Sequence, residues 1–153
     1  MSLEQQVREV QKRLTPSVMS GLSGKDRGEV SRLLEALETS IRRERVSKSF
    51  ISFAESVWPA FIEGSHHRKM AEAFKRVASG DLKRLIINMP PRMGKSQLAS
   101  WLLPAWIMGK FPNKKIIMAS HTAELAVRFG RMVRNLINSD EYKDVFPGVS
   151  LTA

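Results

Sequence analysis

The sequence predicts an α/β fold, a parallel sheet flanked by helices and preceded by an N-terminal helical segment. Three observations predict it. Residues 85–89 (LIINM) are a short apolar run of strand length, and residues 115–120 (KIIMAS) are another. Each run is followed by apolar residues at helical spacing, first from Leu98 to Trp106 and then from Leu125 to Ile137. Residues 1–48 carry helical patterns without any strand-like run, so they are set apart from residues 49–153, which contain both apolar runs.

Between the first run and its helix lies Pro90-Pro91-Arg92-Met93-Gly94-Lys95-Ser96. Strand, loop, Gly-Lys-Ser and helix together form the arrangement that cradles a nucleotide triphosphate. N–H groups at the helix start lack intrahelical partners, and the helix dipole favours negative charge there. Lys95 is expected at the β- and γ-phosphates and the Ser96 hydroxyl on Mg²⁺. The full pattern asks for glycine five residues before Gly94, where Met89 stands. Pro90 and Pro91 cannot donate, so the cradle must use the amides from Arg92 to Ser96.

A chain of 153 residues with 42% hydrophobic and 26% charged residues has room for one modest domain and reads as globular. No apolar run approaches the roughly 18 residues a bilayer span needs, and the polar start MSLEQQVREVQKR shows no secretory h-region. The absence of cysteine excludes disulfides and thiolate metal sites. A net charge of +10 points to a polyanionic partner, with nucleic acid first, or to a generic basic surface. Residues 1–48 hold ten basic and seven acidic residues, and 49–153 hold fifteen and eight, so the excess concentrates in the second part.

In chain order, Leu3, Val7, Val10 and Leu14 mark a helix that Thr15-Pro16 ends. Ser23 and Asp26 form a capping-box pattern for a second helix reaching about Val46, with Val30, Leu33, Leu34, Leu37 and Ile41 along one face. The basic cluster ending that helix, residues 41–45, is either a solvated terminus or a phosphate contact. Residues 49–62 read as a short helix or extended arm, with Trp58 as core rather than a base-stacking platform. Ser65 is placed to cap a helix over 66–79, with Met70, Phe74 and Val77 facing inward and Gly80 as its stop. Pro104 should kink the helix after Ser96, and Gly109 should end it. Thr122 is the expected N-cap of the next helix. Its Arg128, Arg131 and Arg134 form a basic stripe, either solvated or DNA-facing. Residues 140–153 read as a loop.

Hydrolysis by such a loop requires an apolar strand ending in Asp-Glu. Downstream of Ser96 the acids are Glu124, Asp140, Glu141 and Asp144, and none follows an apolar strand. The expectation is therefore the front of an ATPase domain, able to bind ATP but poor at hydrolysing it.

At Gly64-Ser65-His66-His67, LIINMPPRMGKSQLAS and IIMASHTAELAVRFGRMVRNLI, the chain resembles the large terminase subunit of tailed bacteriophages. The resemblance covers about Phe50 to Leu151, and more loosely 26–46. It implies an incomplete P-loop NTPase of the ASCE, RecA-like kind, using ATP and Mg²⁺ to drive double-stranded DNA through a portal protein into a procapsid. It further implies a small terminase subunit as partner, a homo-oligomeric ring, and bacterial host cytoplasm as the location. Carried residue by residue, it gives phosphate or Mg²⁺ roles to Gly94, Lys95 and Ser96, with Met93 and Gln97 beside them. Arg92 is given a γ-phosphate role, and His67 an adenine contact. His66 and His67 read equally as polar residues at a helix start. Ala119-Ser120-His121-Thr122 resembles the strand-end motif that couples ATP to DNA movement. The acidic second strand motif and the nuclease domain of that family have no counterpart here.

Overall fold

The computed structural model describes residues 3–151. Met1, Ser2, Thr152 and Ala153, and the side chains of Leu3, Glu4, Gln6, Gln11, Pro16 and Met19, lie outside the described residues. The chain divides into two units, Met1–Arg45 and Val46–Ala153.

In the first unit α1 (Leu3–Arg13) stops before Pro16, which opens the short α2 (Pro16–Gly21). α3 (Gly24–Lys48) begins with the expected reciprocal cap: the Asp26 amide donates to Ser23 Oγ, and that hydroxyl donates to the Asp26 carboxylate. Its predicted apolar face is only partly covered. Val30, Leu34 and Ile41 are half-buried, whereas Leu33 is 59% exposed and Leu37 40%.

The second unit is a packed set of helices. α4 (Phe50–Val57) is capped by Ser49, whose side chain accepts from the Ser52 amide. α5 (Ser65–Ser79) starts one residue before the position expected, with Gly64 rather than Ser65 at its N-cap. It ends at Gly80, as the sequence predicts, because φ there is +90° and a Cβ would be strained. A π-helical run, Gln97–Leu102, leads directly into α6 (Leu103–Lys110). Its register shift, with Leu103 donating to Leu98 five residues back, lies just ahead of Pro104. Pro104 has no N–H to continue the four-residue ladder, which is where such a shift relieves a helix. α6 does not stop at Gly109 but runs on to Lys110. Gly109 serves packing instead: a Cβ on it would lie 2.4–2.6 Å from the Phe146 ring. α7 (Ala123–Ile137) is capped by Thr122 as predicted. Residues 140–145, expected as loop, form α8 (Asp140–Val145), with Ser139 as cap.

These helices meet over Phe50, Phe53, Phe74, Leu98, Leu102, Trp106 and Tyr142. Phe50 is in edge contact with Phe74 and Trp106, at ring separations of 5.1 and 5.5 Å. Two polar atoms among these core rings are satisfied. Trp106 Nε1 donates to the Ser47 carbonyl at 3.0 Å, and the Tyr142 hydroxyl donates to the Ala105 carbonyl at 2.9 Å. Burial pushes the Tyr142 hydroxyl well above the usual phenol range.

The predicted α/β class is corrected by this architecture, which is helical. No strand forms among the described residues, so there is no parallel P-loop NTPase sheet. Residues 85–89 and 115–120 lie where strands were expected, yet no backbone hydrogen bond joins them. Residues 86–89 even alternate as a strand would, with Ile86 and Asn88 exposed and Ile87 and Met89 packed on the core. An apolar run and a period of two give strand propensity, but a strand exists only with a neighbour about 4.8 Å away to complete its ladder.

Candidate functional site

The loop between residue 89 and the π-helical run has a backbone set by two left-handed residues. Arg92 has φ +65° and Gly94 has φ +74°. Arg92 is the only non-glycine residue with positive φ among the described residues, a conformation that costs an L-residue about 1–2 kcal/mol. Gly94 is needed for space as well, because a Cβ there would sit 3.2 Å from His67 Nε2. The helix begins at once: the Leu98 amide donates to the Gly94 carbonyl at 2.9 Å. The amides of Lys95, Ser96 and Gln97 therefore precede the first helical bond. Alternating left-handed residues that gather successive N–H groups at a helix mouth make an anion-binding concavity.

The side chains of this segment differ in exposure. Arg92, Met93, Ser96 and Gln97 are exposed, and Gly94 and Lys95 are half-buried. Leu98, fully buried, pins the helix start to the core. Five of the six residues given phosphate or Mg²⁺ roles by the sequence thus share one short segment with Arg92, the sixth. Its donor set suits phosphate oxygens. Ser96 is its one hydroxyl, and no group of three or more metal-binding side chains occurs among the described residues.

His67 lies beneath this loop. It is 9% exposed, and its Nδ1 accepts from the Gly64 amide at 3.0 Å. The proton therefore sits on Nε2, which faces the Met93 carbonyl at 3.4 Å. Both ring nitrogens face backbone, which makes His67 a buttress joining the α5 cap to the loop. Burial first, and then the neighbouring His66, holds its pKa below the usual histidine range. Neighbouring helical side chains ordinarily diverge, yet the His66 and His67 ring centroids are 3.8 Å apart. They converge because both wrap around Gly64, where a Cβ would meet His66 Cε1 at 2.8 Å.

Sequence reasoning did not single out the ring cluster alongside. Phe61 stacks near His67 at 5.0 Å, Trp58 near Phe61 at 5.6 Å and Trp101 near Trp58 at 5.8 Å. Trp101 Nε1 and His66 Nε2 are buried there without a hydrogen-bond partner. The only sequence signal was the density of aromatics between residues 58 and 67, since Trp101 joins them through the fold.

The arginine stripe occupies the outer side of α7. Arg128, Arg131 and Arg134 are all exposed, while Val133, Leu136 and Ile137 are buried. Not every cation is available to a ligand, however. Lys114 Nζ donates to the Ala78 carbonyl at 2.7 Å and sits 4.4 Å above the Phe111 ring. None of the described helices is long and apolar enough to cross a membrane. Comparison with protein-family models, with curated proteins and with solved structures yields no match to the chain.

Proposed function

We propose that this chain is a basic helical module that binds DNA through its phosphate backbone. The observation that carries the reading is the exposed arginine row on α7, opposite the buried Val133, Leu136 and Ile137. Three guanidiniums on one solvent-facing side are suited to successive phosphates, and a net charge of +10 adds non-specific attraction. The test is fluorescence anisotropy of a duplex oligonucleotide across a salt series. Replacing Arg128, Arg131 and Arg134 with glutamine should weaken binding and flatten the salt slope by about 0.9 per lost phosphate contact. Unchanged affinity and slope in that triple variant would overturn the reading.

A second reading is favoured by the two left-handed residues at 92 and 94. In it, the loop holds the triphosphate of ATP on the amides from Arg92 to Ser96, with Lys95 and Arg92 adding charge. The Ser96 hydroxyl would hold a Mg²⁺ ion brought by the nucleotide, which would supply charge neutralisation of the phosphates. The chain would then be the ATP-binding part of a phage DNA-packaging motor of the large-terminase kind, with double-stranded DNA, the portal and the small subunit as partners. Lys95→Ala should abolish Mg-ATP binding in titration calorimetry while leaving duplex DNA affinity within about twofold, since surface substitutions away from a contact do little. Retained ATP affinity in that variant would remove the loop from consideration.

A further inference from the structure

Away from both the loop and the arginine row, a cleft of about 260 Å³ opens between the start of α4 and the outer side of α5. Its floor is apolar, with Phe50 and Ala71, and its charged walls are Lys48, Arg68 and Lys75 against a single acid, Glu72. Arg68 is partly engaged already: its Nε and one Nη donate to the two Glu63 oxygens at 2.8 and 3.2 Å, which fixes the guanidinium in one orientation. Lys75 makes no ion pair among the described residues. A further cation, Lys110 of α6, lies within electrostatic reach of Lys48 and Lys75. It stands 4.5 Å over the Trp106 ring, and burial, then those two charges, hold its amine below the usual lysine range. Three cations thus line one concavity whose own acid is Glu72, with Arg68 already paired to Glu63 and Lys110 near two of the three. Gathered like charges disfavour one another, and a bound dianion relieves that repulsion.

We propose that this cleft binds a dianionic phosphate group, carried on a small apolar or sugar moiety that rests on Phe50 and Ala71. A phosphate monoester supplies close to two charges and three acceptor oxygens, which several separated cations can share. A carboxylate would bring one charge to the same set. The volume suits a single sugar phosphate or the terminal phosphate of a nucleic-acid strand.

The experiment is two-dimensional amide NMR of the full chain, titrated with inorganic phosphate, with ribose 5-phosphate, and with a short single strand bearing either a 5′-phosphate or a 5′-hydroxyl. Saturable shifts at Ser49, Ile51 and Lys75 are expected with ribose 5-phosphate. Both Lys75→Gln and Arg68→Gln should weaken them about tenfold, the size expected for loss of one charge-assisted hydrogen bond. Lys95→Ala should leave them unchanged, separating the cleft from the loop. Preference for the 5′-phosphorylated strand over the 5′-hydroxyl strand identifies a strand end as the source, and equal strand binding with saturable ribose 5-phosphate identifies the free ester. Shifts confined to residues 92–97, or cleft shifts that persist in the Lys75→Gln, Arg68→Gln double variant with its fold intact by melting, would overturn the proposal.

Discussion

The packed helices of residues 46–151 and the two unpaired segments inside the same unit, 85–89 and 115–120, face one physical demand and meet it differently. Every backbone N–H and C=O must find a partner or remain in water. A helix pairs its own groups within four residues, so Phe50–Val57 or Ala123–Ile137 need neighbours only for their apolar sides. A strand has no such internal solution. Residues 85–89 and 115–120 present Ile86 at 86% exposure and Ile117 at 94%, beside Ile87 and Met118 packed on the core. The lesson is that apolarity placed both kinds of segment against the same core, whereas regular structure followed only where hydrogen bonding was local.

The largest effect that would sharpen this contrast lies in the helical core. Trp106→Ala removes a fully buried ring and should cost about 3–5 kcal/mol in denaturant unfolding. A loss below 1 kcal/mol would mean the core is not packed as described. Gly109→Ala should cost about 1–3 kcal/mol by the same measurement, because its Cβ would overlap the Phe146 ring. Stability equal to the parent chain would show that Phe146 moves aside freely.

A smaller effect concerns pH. The folded chain holds His67 neutral, with a pKa below its unfolded value, so the unfolded chain binds the extra proton first. Its contribution is complete above the ordinary histidine range and is lost as pH falls through the lowered folded value. Protonating Nδ1 would also break the bond from the Gly64 amide. The melting temperature should therefore fall between about pH 7 and pH 5, and the slope should shrink in His67→Gln. An identical slope in that variant would assign the effect to other groups.

The smallest effects belong to the unpaired segments. Ile86→Ser and Ile117→Ser should each change stability by no more than about 0.5 kcal/mol, since neither side chain is covered. In hydrogen exchange, amides at 85–89 should exchange well before those in the middle of α5, because no ladder protects them. Slow exchange there would show pairing that the fold described here does not contain.

Much of the helical framework was legible in the sequence because its signals are short-range. Ser23 with Asp26, Gly80 and Thr122 each act within four residues, and each sits where its chemistry predicts. The segment Arg92–Gln97 is likewise short-range, with its amides neighbours along the chain. The exposure of Leu33 and Leu37 was not legible, since spacing marks a face but does not supply a surface to cover it. Nor was the place of His67, because its partner Met93 lies 26 residues further along the chain, beyond the end of α5.

By itself, then, the sequence determined several helix caps, that Gly-Lys-Ser stands between an apolar run and a helix, and that the chain is strongly cationic. Tertiary structure decided that Gly109 receives Phe146, that His67 supports the loop, and that two strand-like runs stay unpaired. The reason is one of range: caps and helical bonds close between residues a few positions apart, whereas a ladder, a ring contact or a buried histidine depends on groups the chain must first bring together.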